Sequence, residues 1–275
     1  MNRPSDEVFV PPSDVRQIPG SPRPKGSRSG LWAVLATVGA VLLKFKFIFV
    51  ALKFGKFFGT IASMGLMIVV YAKMFGWWYG AGFVLLIAVH EMGHVLAARR
   101  VGLKTSAPIF IPFVGAFIAM KQQPTNARIE AIVAFGGPWV GSAGAALCMV
   151  AGIALDNRLL LALAYTGFFL NLFNLVPIHP LDGGRIVTAI SPWLWLIGIP
   201  ALGALLIWHF NPIVLLMLLL GMFQAWRVWK SPDRTYFQVP PAVRVQFAVY
   251  YFGLMALLGV GMAWIHGLHV GLGAP

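Results

Sequence analysis

Long apolar stretches alternate with short polar or basic breaks along most of the chain. Runs at about 57–75, 80–99, 130–154, 158–178, 192–209, 212–229 and 245–266 each approach the length needed to cross a bilayer, which is about 20 helical residues. Residues 105–125, TSAPIFIPFVGAFIAMKQQPT, break the pattern. Pro108, Pro112 and Pro124 oppose a helix. The β-branched and aromatic residues around Gly115 predict two short strands joined by a turn. Strand edges cannot face lipid, so this hairpin should be covered by protein or line a polar cavity.

The N-terminal region follows another pattern. Residues 1–30 hold six prolines and mixed charges without apolar periodicity, which predicts a disordered tail. Residues 31–56 are aromatic-rich but interrupted by Lys44, Lys46, Lys53 and Lys56. They suit a helix lying in the interface, with a transmembrane helix as the other reading. The expected fold is an all-α polytopic membrane protein with about six to eight transmembrane helices and a short membrane-reentrant β-hairpin. Residues 57–190 would form its catalytic membrane core and 191–275 its C-terminal transmembrane helices.

Composition supports this class. The chain has 275 residues, 59% hydrophobic and 11% charged, with a mean hydropathy of +0.80. Soluble domains carry about 25% charged residues. The 21 Lys and Arg against 8 Asp and Glu lie mostly at the edges of apolar runs. That placement fits cytoplasmic flanks and anionic lipid headgroups and argues against nucleic acid as a partner. Arg99, Arg100, Lys104, Lys121 and Arg128 would share the cytoplasmic side with Arg227, Lys230 and Arg234. The single cysteine, Cys148, precludes an internal disulfide and reads as packing.

Most of the eight acids fall in the tail or at span edges, Glu130 among them. Glu91 and Asp182 do not. An acid at mid-bilayer costs about 3 kcal/mol on insertion scales, so both need a function. Glu91 lies in VLLIAVHEMGHVLAARR, residues 84–100. His90 and His94, four residues apart, project from one helix face and can fill two corners of a zinc tetrahedron. Glu91, beside them, can act as a general base without being a ligand. The third ligand should come from another segment. Asp182, in NLFNLVPIHPLDGGR, residues 171–185, is the best candidate. Pro177 and Pro180 break the helix before it, and Gly183 and Gly184 let the backbone turn after it. His179 is the competing ligand.

HEMGH together with NLVPIHPLDGG resembles the site-2 protease family of intramembrane zinc metalloproteases. Asn174, Pro177, Pro180, Leu181, Asp182 and Gly183 match that family's second motif. GGPWVG, residues 136–141, is similar to the Gly-Pro element between the motifs, and the 105–125 hairpin to the family's reentrant β-element. The resemblance implies that His90, His94 and Asp182 hold Zn2+. It implies that Glu91 is the catalytic base, and that a transmembrane protein or peptide substrate is cut near the cytoplasmic side. Asn174 would stabilise the oxyanion, hold the substrate backbone, or cap the broken helix. Gly137 and Gly141 form a small-xxx-small pair that would bring the 158–182 segment beside the histidine helix. The alternative functions are a metal-ion transporter and a proteolytically inactive zinc-binding membrane protein. A bacterial cytoplasmic membrane is the expected location.

Overall fold

The computed structural model describes residues 56–230 and 235–272. The expected tail, 1–30, and the 31–55 part of the next segment lie outside the described residues. Among the described residues eight α-helices and one hairpin follow in order: α1 (Lys56–Phe75), α2 (Trp77–Arg100), β1 (Ile109–Ile111), β2 (Gly115–Phe117), α3 (Ala127–Ala154), α4 (Arg158–Asn174), α5 (Asp182–Ile190), α6 (Trp195–Trp208), α7 (Pro212–Lys230) and α8 (Pro241–Leu272). The fold is that of a polytopic all-α membrane protein. Among the described residues five helices (α1, α2, α3, α7 and α8) are long and apolar enough to cross a bilayer, and two shorter apolar ones accompany them.

The helical hairpin α1–α2 turns on one residue. Gly76 has φ 88°, a left-handed conformation that glycine adopts without steric cost. Its N–H still bonds the Ala72 carbonyl at 2.9 Å, so the chain reverses without orphaning that donor. Helices α3 and α4 start on asparagine caps. The side-chain oxygens of Asn126 and Asn157 accept from the amides of Ile129 and Leu160, at 2.9 and 3.1 Å, and so satisfy exposed donors of each first turn.

The predicted hairpin is present. Its strands pair antiparallel, Phe110 opposite Ala116, and a further bridge between Thr105 and Met120 extends the ladder. Helix α1 covers the outer side of β1. Ser63 Oγ accepts from the Phe110 amide at 3.1 Å, and Thr60 Oγ1 donates to the Pro108 carbonyl at 2.7 Å. Phe110, 1% exposed, joins Met67, Tyr71, Val84 and Ile87 in a small core between α1 and α2. Backbone groups that lipid could not satisfy are thus partnered by side chains.

Helix α4 is shorter than the expected 158–178. It ends at Asn174 after 17 residues, about 25 Å of helix, because Pro177 and Pro180 cannot continue it. The loop 175–181 therefore stays among the helices. Residues 182–190, expected only as a turn, form a short buried helix. Gly183 and Gly184 permit it, since a Cβ on either would collide with the backbone of Leu175 and Val176 or of Ile178 and His179. The largest core cluster joins α3, α4, α5 and α8.

Candidate metal centre

Helix α2 is apolar around most of its circumference, so its two imidazoles are conspicuous. They lie on the side facing α3, and the approach of α3 is close because glycines meet there. A Cβ on Gly93 would collide with the carbonyl of Gly136, and one on Gly136 with the carbonyl of Gly93. A Cβ on Gly137 would enter the rings of His94 and His90. The expected close packing at Gly137 and Gly141 is therefore present, and the first of the pair also forms one wall of the centre.

His90 Nε2 is 3.1 Å from Asp182 Oδ2, and His94 Nε2 is 3.2 Å from the same oxygen. The two Nε2 atoms are 3.2 Å apart. Asp182 arrives as the first residue of α5, where the positive end of a helix favours a carboxylate. The distal ring nitrogens are engaged elsewhere. His94 Nδ1 is 2.9 Å from the Val133 carbonyl, an atom with no proton to give, so the ring must donate there. His90 Nδ1 is 2.8 Å from Asn171 Oδ1.

With both Nδ1 atoms donating, the Nε2 atoms present lone pairs to each other and to the Asp182 carboxylate. A single proton can bridge only one edge of that triangle at a time. A cation at its apex satisfies all three corners. Zinc at about 2.0–2.1 Å from N and O ligands in tetrahedral geometry would separate them by roughly 3.3 Å, close to the spacing found. The donor set therefore fits zinc: two imidazoles and one carboxylate, with a fourth position left for water or substrate.

Glu91 is 9% exposed and within electrostatic reach of His94, His90, Asp182 and Arg185. It has no hydrogen bond or ion pair to another described side chain, which suits a proton acceptor. Asn174 stands one turn beyond Asn171, and its Nδ2 donates to the Leu170 carbonyl at 3.1 Å. His179 is not part of the triad; its ring stands edge-on to Trp195, with centroids 5.1 Å apart.

Other residues around the centre were not legible as such. Asn171, 2% exposed, reads in sequence as one more polar residue near a helix end. Glu130, expected only as a span-edge acid, joins two segments. Arg185 Nε is 3.4 Å from its Oε1, and the Tyr236 hydroxyl donates to Oε2 at 2.6 Å. Burial, with Glu130 beside it, holds the Tyr236 pKa well above the usual range, so that hydroxyl remains a donor. Arg185 sits one turn after Asp182, and the network ties α5 to the start of α3.

Residues 79–157 and 154–218 match peptidase family M50, over half of the chain. Rip3 of Mycobacterium tuberculosis, which bears a zinc metalloprotease name, is 34% identical over 137 residues, 46% of this chain and 34% of Rip3. Zinc metalloprotease MJ0392 of Methanocaldococcus jannaschii is 34% identical over 116 residues, 39% of this chain and 33% of its own length. The chain thus spans about a third of the length of these curated relatives. With two motifs in order, their residues gathered at one point and a match over half its length, the chain belongs to peptidase family M50, the site-2 protease family.

Proposed function

We propose that this protein is a zinc metalloendopeptidase that hydrolyses peptide bonds within or beside transmembrane segments of membrane-protein substrates, in regulated proteolysis. The convergence of His90, His94 and Asp182 on one point, beside a Glu91 with no hydrogen bond or ion pair to another described side chain, carries this reading. His90 Nε2, His94 Nε2 and Asp182 Oδ2 would hold the ion. Zinc bound there would supply a Lewis acid that acidifies water and polarises the scissile carbonyl. Glu91 takes the proton of the attacking water on its carboxylate and passes it to the departing amine. Asn174 is assigned to the substrate backbone or the developing oxyanion.

The depth of the centre supports an intramembrane substrate. His90 and His94 precede Arg99 by nine and five residues, about 14 and 8 Å along the helix. The reacting atoms would then lie below the level of the basic residues, on the cytoplasmic side by the charge rule. A helical substrate hides its carbonyls in its own hydrogen bonds, so it must unwind before attack. Strand β2, which packs toward α2 while α1 covers β1, offers an edge on which an unwound segment can pair.

The test is Glu91→Gln in purified protein, with zinc content and cleavage of a single-span substrate read together. Retained zinc with cleavage reduced on the order of 10²–10⁴-fold supports the reading, and unchanged cleavage refutes it. Zinc flux into vesicles without cleavage by the parent protein would favour a transporter. Stoichiometric zinc with neither flux nor cleavage would favour an inactive binding protein.

A further inference from the structure

The two imidazoles of the centre are oriented by different means. His94 donates to a backbone carbonyl of α3, which no side-chain substitution removes. His90 is held by a side chain, Asn171, reaching from α4 across 81 positions of sequence. The orientation of that amide is fixed by chemistry. Its Nδ2 lies 2.7 Å from the carbonyl of Gly167, one turn back on α4. A carbonyl can only accept, so the NH₂ must be on that side and Oδ1 must face His90. The His90 Nδ1 is then obliged to carry the proton. The amide is enclosed as well as oriented, because a Cβ on Gly141 of α3 would overlap Asn171 Oδ1. Helix α3 thus keeps a glycine where the amide passes.

We propose that Asn171 is a positioning residue, which locks His90 in its Nδ1–H tautomer with the Nε2 lone pair aimed at the metal position; this rests on the metalloprotease reading above. Partners of this kind fix ring orientation and ligand basicity, and their loss costs about 10–100-fold in metal affinity. The Gly167–Asn171–His90 relay also connects α4 to the ring that would hold the ion, so the segment that leads to Asp182 contributes to the imidazole side as well.

The test compares Asn171→Leu, which keeps the volume and loses the acceptor, with Asn171→Asp, which keeps an acceptor. Zinc affinity is measured in detergent-solubilised full-length protein by competition with a chromophoric chelator. Asn171→Leu should bind zinc about 10–100-fold more weakly, and Asn171→Asp should recover most of that loss. Affinity of the leucine variant within threefold of the parent overturns the proposal. So does an aspartate variant as weak as the leucine one, because packing rather than the acceptor would then be responsible. A second readout needs no metal and no substitution at Asn171: ¹⁵N-histidine NMR of the metal-free parent, with His90 assigned by difference from a folded His90→Gln. A proton on Nδ1 is expected, and a proton on Nε2 alone overturns the assignment. Should the parent take up no zinc, the metalloprotease reading fails, while the tautomer still decides what Asn171 does.

Discussion

The most apolar 18-residue stretches of helices α2 and α7 have the same mean hydropathy, 1.6, yet that of α2 is 44% buried and that of α7 only 11%. Hydropathy records that both can enter lipid; it does not record what they face. Helix α7 buries only Val214 and Gly221 and leaves Leu216, Leu219, Leu220, Phe223 and Trp226 exposed, as a helix surrounded by acyl chains can. Helix α2 buries Gly80, Gly93, His90 and Glu91 among its apolar residues. Small residues give close approach and polar ones give specific partners, and inside a membrane these, rather than greasiness, drive helices together. The chemistry sits on the helix whose neighbours leave no room to spare.

Substitutions on the two helices and their neighbours can break or sharpen this contrast. The largest effect is expected from Gly137→Val, whose side chain must occupy the space of both imidazoles. Metal content by mass spectrometry should fall to background and cleavage by on the order of 10²-fold or more; a variant that retains zinc would show that the α2–α3 contact does not shape the centre. Gly93→Val presses a side chain onto the Gly136 backbone instead. It should lower stability by about 3 kcal/mol, the upper end for overpacking, visible as a lower midpoint of thermal unfolding in detergent. Tyr236→Phe removes one partner of Glu130 and should cost about 1 kcal/mol. No change in the unfolding midpoint would mean that the Tyr236–Glu130 bond adds nothing to stability. Leu219→Ala on α7 should stay within about 0.5 kcal/mol, and a larger loss would mean that α7 meets protein rather than lipid.

The sequence made part of this visible because membranes penalise polarity. His90, Glu91, His94 and Asp182 stand out in apolar surroundings, and the chain does bring the two histidines and Asp182 to one point. The hairpin was legible from prolines that forbid a helix, although its ordered strands, Ile109–Ile111 and Gly115–Phe117, are shorter than the segment suggested. Helix α5 was not legible, because its Gly-Gly pair favours a turn locally and only the tight fit against residues 175–179 turns it into a helix. Asn171 and Glu130 were illegible for a related reason. Each acts through a partner more than fifty positions away, and nothing in the local pattern separates such a residue from an ordinary helix-end polar one.

The division of the triad between α2 and α5 also has a consequence in time. His90 and Asp182 are 92 positions apart. At synthesis rates of about 5–20 residues per second, a growing chain carries the imidazoles for roughly 5–20 s before the carboxylate is made. Until then only two corners exist, too few to grip the ion firmly. The centre is therefore completed only once α5 has been made and the bundle closes around it.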